Sequence, residues 1–409
     1  MNIGPSLRFR RVRVGTESSY PEPKTTIGSS LTTKTQEGRM GRKSNLSSWR
    51  WWLGLKDPIV LGEPKKKYGI TIMIPAYNEE KSIAETIRGV QAQTVPIDEV
   101  IVVDDCSTDR TGEIAASMGV TVIRTETNQG TKATAQKYVL ERGYVKTELF
   151  ITIDGDTLLA PDAVERTLPY FNDPMAGSVC GYVIPARIRS VWERGRFVEY
   201  VFSLSLFKMA QNHIGAVMVS SGCFTVFKTD LVRELGGFNT RTMAEDMDLT
   251  WELSMRDYRI YCDNTAFCYP YDPPTGKIFV AQLDRWYRSF FQNMAIHWKD
   301  LLKRDRKLAA IAMGYMFDGG MFLMILMWAM LYAVIHLTFA SLLMALALDT
   351  AIVAAFALIE GIRIGRFWQV LVCLPSYQVT RSVTMFVFWR SMWREWVAKD
   401  RLNVWVKGH

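Results

Sequence analysis

Asp154-Gly155-Asp156 closes an apolar run, Glu148–Ile153, with two carboxylates two residues apart. On extended backbone such side chains point to the same side, and the glycine between them admits a bulky ligand. Unpaired, the two carboxylates repel. A hard divalent cation, Mn2+ or Mg2+, shared with substrate phosphates removes that repulsion. Asp154 and Asp156 are therefore candidate metal ligands. A second acidic cluster, Asp104-Asp105-Cys106-Ser107-Thr108-Asp109, ends another apolar run. A carboxylate at a strand end accepts hydrogen bonds from a base N–H or ribose hydroxyls, so Asp104 or Asp105 is a candidate nucleotide contact. Asp109 also reads as a cap for the helix beginning near Arg110. No GxxxxGK or GxGxxG follows a strand, which disfavours P-loop NTPases and nicotinamide dehydrogenases. Bound phosphates are then neutralised by metal and basic side chains.

The elements that must position these residues read as α/β. Strands are expected over Gly69–Ile74, Glu99–Val103, Val120–Arg124 and Glu148–Ile153, and helices over Glu79–Gln93, Arg110–Met118 and Lys132–Arg142. Strands alternating with helices imply βαβ units and a mainly parallel sheet. Ligands of such sheets bind past the carboxyl ends of the strands, where Pro75–Glu79, Asp104–Asp105 and Asp154–Asp156 fall.

The 409 residues carry a net charge of +8 and 48% hydrophobic residues. The basic excess gathers in the first 50 residues and around apolar C-terminal segments, which suits an anionic membrane surface better than nucleic acid. The six cysteines form neither zinc spacing nor a disulfide framework, and read as reduced thiols in a cytosol-facing domain. Residues 1–48 are expected to be a disordered basic arm, and 49–66 a Trp-rich interfacial segment. Leu308–Phe339 and Ser341–Ile359 are nearly free of charge, apart from Asp318 and Asp349, and read as a transmembrane hairpin over 308–360 joined at Thr338–Ser341. Basic residues flank both ends, which places them in the cytoplasm under the positive-inside rule, with the chain multi-pass in the cell (inner) membrane. The stretch 361–409 is expected to form re-entrant or interfacial helices broken near Pro375, followed by a basic tail; a true third span is the alternative. Aromatic, partly basic helices over Val191–Gln211 and Ile278–Leu302 read as membrane-surface helices.

Taken in order, Pro75-Ala76-Tyr77-Asn78-Glu79, Val103–Asp109, Asp154-Gly155-Asp156, Ala244-Glu245-Asp246 and Gln282-Leu283-Asp284-Arg285-Trp286 resemble family 2 glycosyltransferases of the GT-A fold. The last motif is Q-x-x-R-W, typical of membrane synthases of cellulose, chitin, hyaluronan and poly-N-acetylglucosamine. Ser221-Gly222-Cys223-Phe224 resembles their acceptor-side loop, giving Gly222, Cys223 and Phe224 as acceptor residues. The resemblance covers about residues 69–305. It implies a GT-A catalytic domain over 67–276 and an amphipathic interfacial helix over 277–307 carrying Q-x-x-R-W.

It also implies roles. Asp246 is the general base that takes the acceptor hydroxyl proton, and one displacement gives inversion. Glu245 and Asp248 beside it would raise its pKa by like-charge repulsion; the alternative is a carboxylate at a helix N-terminus before Leu249–Met255. Arg285 holds the departing diphosphate. Trp286 offers an aromatic face to the acceptor, or else sits as an interfacial tryptophan. Pro75, Ala76, Tyr77, Glu79, Asp104, Asp105, Lys132, Asp154, Gly155 and Gln282 line the nucleotide-sugar site. The donor is expected to be a UDP-sugar. Those synthases carry membrane helices before the catalytic domain, where this sequence offers only the Trp49–Leu55 patch, and Ala244 replaces the first residue of their TED motif. Transfer to a lipid head group or lipid carrier is therefore the first reading. A polysaccharide synthase acting as a homo-oligomer, with a saccharide acceptor, is the second. A non-catalytic nucleotide-sugar-binding membrane protein is the third. No nucleic-acid partner is expected.

Overall fold

The computed structural model describes residues 62–336 and 340–402. The basic arm, most of the Trp-rich segment and the first half of the expected hairpin connection lie outside the described residues.

Eight strands form one sheet in the order β3-β2-β1-β4-β7-β6-β8-β5. They are β1 (Ile70–Ala76), β2 (Glu99–Asp104), β3 (Thr121–Arg124), β4 (Leu149–Ile153), β5 (Thr157–Leu159), β6 (Ala176–Val183), β7 (Phe224–Lys228) and β8 (Arg259–Pro270). β1 pairs in parallel with β2 and β4, and β2 in parallel with β3. This is the α/β half that the alternation of strands with helices implies. β4 and β6 both pair antiparallel with β7, β5 pairs antiparallel with β8, and β6 and β8 run in parallel. Strand order reverses at β1, between β2 and β4, so the crevice for a ligand opens past their carboxyl ends.

Helices α1 (Ile83–Gln91), α2 (Thr111–Ser117) and α3 (Lys132–Glu141) connect the parallel strands. Side chains alternate across β1. Ile70, Ile72 and Ile74 pack with Ile83 and Ile87 of α1 on one face, while Met73 packs with Val139 of α3 and Phe150 on the other. Both faces are covered, so these strands read as nearly continuous apolar runs. α4 (Ala163–Thr167) follows β5; α5 (Val191–Ser203) continues through a π turn (Leu204–Lys208) into α6 (Met209–Ile214); α7 (Thr229–Glu234) and α8 (Glu245–Ser254) precede β8.

Four long helices follow: α9 (Gly276–Arg304), α10 (Arg306–Ile335), α11 (Ala340–Arg363) and α12 (Phe367–Met392). Two stretches, Leu343–Arg363 and Phe367–Val397, are long and apolar enough to cross a membrane. α12 corrects the expectation of a break, because Pro375 lies inside one continuous helix. Interior proline removes a backbone bond and crowds the preceding turn; here α12 is held at two points along its length. At its middle, a Cβ added to Gly195 of α5 would lie 2.2 Å from Thr380 Oγ1. Near its end, Arg390 donates to Asp284 of α9 at 3.0 Å. α12 thus lies along α5 and α9. α10 and α11, by contrast, expose large apolar side chains such as Phe317, Trp328, Leu343 and Leu348.

The C-terminal cations also differ from expectation. Arg390 and Arg394 each pair with Asp284, and Arg288 pairs with Glu395 at 2.7 Å in a fully buried bridge. These charges clamp the end of α12 and the turn after it onto α9.

Candidate active site

The end of β1 and the end of β2 are laced together. Asp105 N–H donates to the Ala76 carbonyl at 2.9 Å. Asn78 accepts from Thr108 N–H at 2.8 Å, and Asn78 N–H donates to Ser107 Oγ at 3.0 Å. Asn78 and Cys106 both hold positive φ, 55° and 59°. Non-glycine residues seldom sit there, and these two follow the neighbouring strands β1 and β2. Glu79 accepts from Ser82 Oγ at 2.8 Å, and Pro75 and Tyr77 stand half-buried on the same rim.

Asp104 and Asp105 are both buried, at 0% and 7% exposure. Asp104 accepts from Ser107 N–H at 2.9 Å and from the Arg124 guanidinium. Asp105 accepts from Thr125 Oγ1 and Gln129 N–H, both at 2.9 Å. Burial pushes the Asp105 carboxyl above the ordinary range, with Asp104 adding to the lift and the Gln129 and Thr125 bonds opposing it. Both carboxylates therefore brace the loops around the crevice. Arg124 was not singled out from sequence, yet its register opposite Asp104 follows from β2 and β3 being parallel neighbours.

Asp154 and Asp156 stand half-buried past β4. A Cβ on Gly155 would lie 3.0 Å from Glu79 Cγ and 3.5 Å from the Pro75 carbonyl. Glycine here lets the β1 loop close over the β4 loop. Asp154 forms an ion pair with Lys132, the first residue of α3, which Thr131 caps by accepting from Thr134 N–H at 3.2 Å. Lys132 Nζ also donates to the Gly222 carbonyl at 2.9 Å and lies 3.8 Å from Glu245. Burial pulls against its charge, and Asp154 and Glu245 outweigh that pull, holding its pKa above that of ordinary lysine.

Asp246 completes the cluster from α8. One carboxylate oxygen accepts from Gly222 N–H at 2.9 Å and the other from Met247 N–H at 2.8 Å. A carboxylate has about four lone-pair positions, so acceptor capacity remains. A Cβ on Gly222 would lie 3.0 Å from Lys132 Nζ and 3.1 Å from Asp246 Oδ2. The glycine of this loop is what lets Lys132 and Asp246 meet. The carboxyl that the surroundings lift is that of Glu245: burial raises it to about 7, Lys132 opposes and Asp246 adds. Asp248 does not join in. It lies roughly half a helix turn round from Asp246 and pairs with Arg241 at 3.0 Å and His297 at 2.6 Å.

Among the described residues no three His, Cys, Asp or Glu side chains converge as a metal cage. The Asp154 and Asp156 pair still fits a hard cation that takes its remaining ligands from phosphate and water.

The acceptor-side expectations divide. Gly222 is in the cluster, and Cys223 is half-buried with its thiol 3.9 Å from that of Cys268. Phe224 is a correction. It is the first residue of β7, 0% exposed, and its ring fills the room left by Gly181, whose added Cβ would lie 2.4 Å away. Its place is the core. Of the Q-x-x-R-W residues on α9, Arg285 is close enough for its charge to oppose the lift on Glu245. Gln282 accepts from Arg196 at 3.3 Å, and the Trp286 ring centre lies 4.8 Å from the same guanidinium. Arg196 was missed from sequence, where α5 reads as a surface helix.

Comparison with known proteins matches this architecture. The glycosyl transferase family 2 model covers residues 71–236. The sequence is 28% identical over 239 residues to a poly-beta-1,6-N-acetyl-D-glucosamine synthase of Staphylococcus aureus, spanning 55% of this chain and 57% of that one. The same-named protein of Staphylococcus epidermidis is 27% identical over 233 residues, 56% of each. This chain therefore spans a little over half the length of the curated relatives it matches. A mannosyltransferase from Pyrobaculum calidifontis, solved with GDP-Man and Mn2+, shares the fold with a TM-score of 0.59 at 22% identity, covering 85% of this chain and 94% of that one. Residues 71–236 thus carry the likeness to glycosyl transferase family 2, on a GT-A fold.

Proposed function

We propose that the protein is an inverting, metal-dependent glycosyltransferase that moves a sugar from a nucleotide sugar, UDP-linked, to a membrane-associated acceptor. The observation that carries this reading is the meeting of four separate segments at one point: Asp154 after β4, Lys132 opening α3, Gly222 before β7 and Asp246 opening α8. The donor lies across the carboxyl ends of β1, β2 and β4, and the acceptor approaches from the Gly222 and Trp286 side. Asp246 takes the proton of the acceptor hydroxyl as that oxygen attacks the anomeric carbon. A single displacement inverts the centre and gives a β-glycoside from an α-linked donor. Positioned proton transfer of this kind supplies about 10²–10⁴-fold. Lys132 and Arg285 offset charge on the diphosphate. Asp154 and Asp156 would hold a divalent cation, which would supply Lewis-acid stabilisation of the leaving diphosphate.

Lipid or lipid-carrier acceptors agree with the apolar faces of α10 and α11, which suit a bilayer beside the site. A second reading, elongation of a β-linked polysaccharide, is favoured by the Q-x-x-R-W motif and by the relatives, whose names describe polymer synthesis. Purified protein in bilayers, given Mn2+ or Mg2+ and a panel of radiolabelled nucleotide sugars, decides between them. Label in an organic-extractable species supports lipid transfer. Label in a long water-soluble chain supports polymerisation. Label in neither fraction with any donor rejects both.

A further inference from the structure

Arg196 sits on α5 with 1% of its surface exposed. Its guanidinium is 3.0 Å from Glu199, 3.3 Å from the Gln282 side-chain oxygen and 3.8 Å from Asp272. The same group lies against two rings of α9, 4.6 Å from the centre of Phe279 and 4.8 Å from that of Trp286. Asp272 in turn accepts from Tyr200 Oη at 3.3 Å. Burying a cation is expensive even when it is paired, and apolar residues of similar volume often serve stability better. The local chemistry nevertheless retains a planar, forked cation between two aromatic rings and one amide. Arginine alone among the cations stacks on ring faces while donating in a fixed plane.

Two of its contacts are motif residues, Gln282 and Trp286, one helical turn apart on α9. Trp286 also packs on the cluster containing Met247 and Trp251 of α8, the helix that carries Asp246. Behind Arg196, α5 is pinned to α12 at Gly195, where no side chain would fit against Thr380. Arg196 therefore stands between a fixed helix on one side and the motif face of α9 on the other.

We propose that Arg196 is a positioning residue for the transfer reaction: it fixes the Gln282 amide and the Trp286 ring so that the acceptor face of α9 stays aligned with Asp246. This rests on the transferase reading above. The consequence is a catalytic effect larger than the effect on donor binding, because only Gln282 and Arg285 among the proposed donor contacts lie on α9, and the others lie on Lys132 and the β1, β2 and β4 loops.

The test uses the full chain in bilayers with two variants. Arg196→Lys keeps the charge and loses the planar fork; Arg196→Met keeps the volume and loses the charge. Both should lower kcat on the order of 10- to 100-fold, the scale of a misplacement of about 1 Å at a reacting centre, while donor KM stays within about threefold. Amide hydrogen exchange should speed up in the first four turns of α9 and stay unchanged in β1, β2 and β4. Wild-type turnover in Arg196→Met would reduce the role to packing and overturn the proposal. So would unchanged exchange in α9, or a rise spread evenly over the domain. If the unmodified protein transfers no sugar from any nucleotide sugar, the transferase reading fails, and the exchange result still decides whether Arg196 holds this face.

Discussion

Glu245 and Asp246 are neighbours in sequence with different surroundings. Asp246 is half-buried and bonded to two backbone N–H groups, whereas Glu245 is buried beside Lys132 with its carboxyl lifted from 4.5 to about 7. The sign of the resulting stability effect follows from proton counting. Between pH 4.5 and about 7 the folded chain holds a proton on Glu245 that the unfolded chain has released, so the stability this group contributes falls as pH rises through that window. Glu245→Gln removes the titration. Thermal melts across this range should show the variant gaining on the wild type as pH rises; parallel curves would contradict the assignment. Asp156→Ala should abolish metal-dependent donor binding. Equal donor affinity for wild type and variant, with and without chelator, would remove Asp156 from the metal site. Much at this scale was legible. Asp154-Gly155-Asp156 and Ala244-Glu245-Asp246 announce themselves as local strings. Arg196 did not, because its partner Gln282 is 86 residues away and nothing local distinguishes it from the other cations of an amphipathic helix. Phe224 misled for the opposite reason: it adjoins a functional loop but begins a core strand.

At the scale of elements, short apolar runs located β1 to β4 to within a few residues, since β1, β2 and β4 are buried on both faces. The second half of the sheet was not read, because β6, β7 and β8 pair across long insertions whose register no local pattern encodes. α12 shows a similar limit. Proline inside an apolar run argues for a break, yet packing along α5, α9 and α11 keeps one helix through Pro375. The contact at Gly195 makes this testable. Gly195→Ala would put a Cβ 2.8 Å from the Ser376 backbone carbonyl as well as against Thr380, and backbone cannot swing aside as a flexible side chain does. Overpacking of this kind costs about 1–3 kcal/mol. A fall in thermal midpoint should follow, whereas Ala at the exposed helical Gly314, which has open space around it, should hold or raise the midpoint, alanine being the better helix former. A Gly195→Ala variant as stable as wild type would show that α5 and α12 are not locked together there.

The whole molecule joins two solvents' worth of surface. The sheet and its covering helices form an ordinary closed core, while α10 and α11 present apolar side chains outward. α9 lies between them and is tied along its first half, to Arg196 at Gln282 and to the end of α12 and the turn after it at Asp284 and Arg288. A site whose acceptor face rests on such a helix is suited to an acceptor held at a membrane surface. The claim on which this account depends is that Asp246 removes the acceptor proton in sugar transfer. The most direct test measures transfer of labelled sugar by wild type and Asp246→Asn in bilayers, with donor affinity measured in parallel. The account predicts that Asp246→Asn loses on the order of 10²–10⁴-fold in turnover and binds donor as tightly as wild type. Substantial turnover by Asp246→Asn with normal donor binding would contradict it and move the base elsewhere in the site.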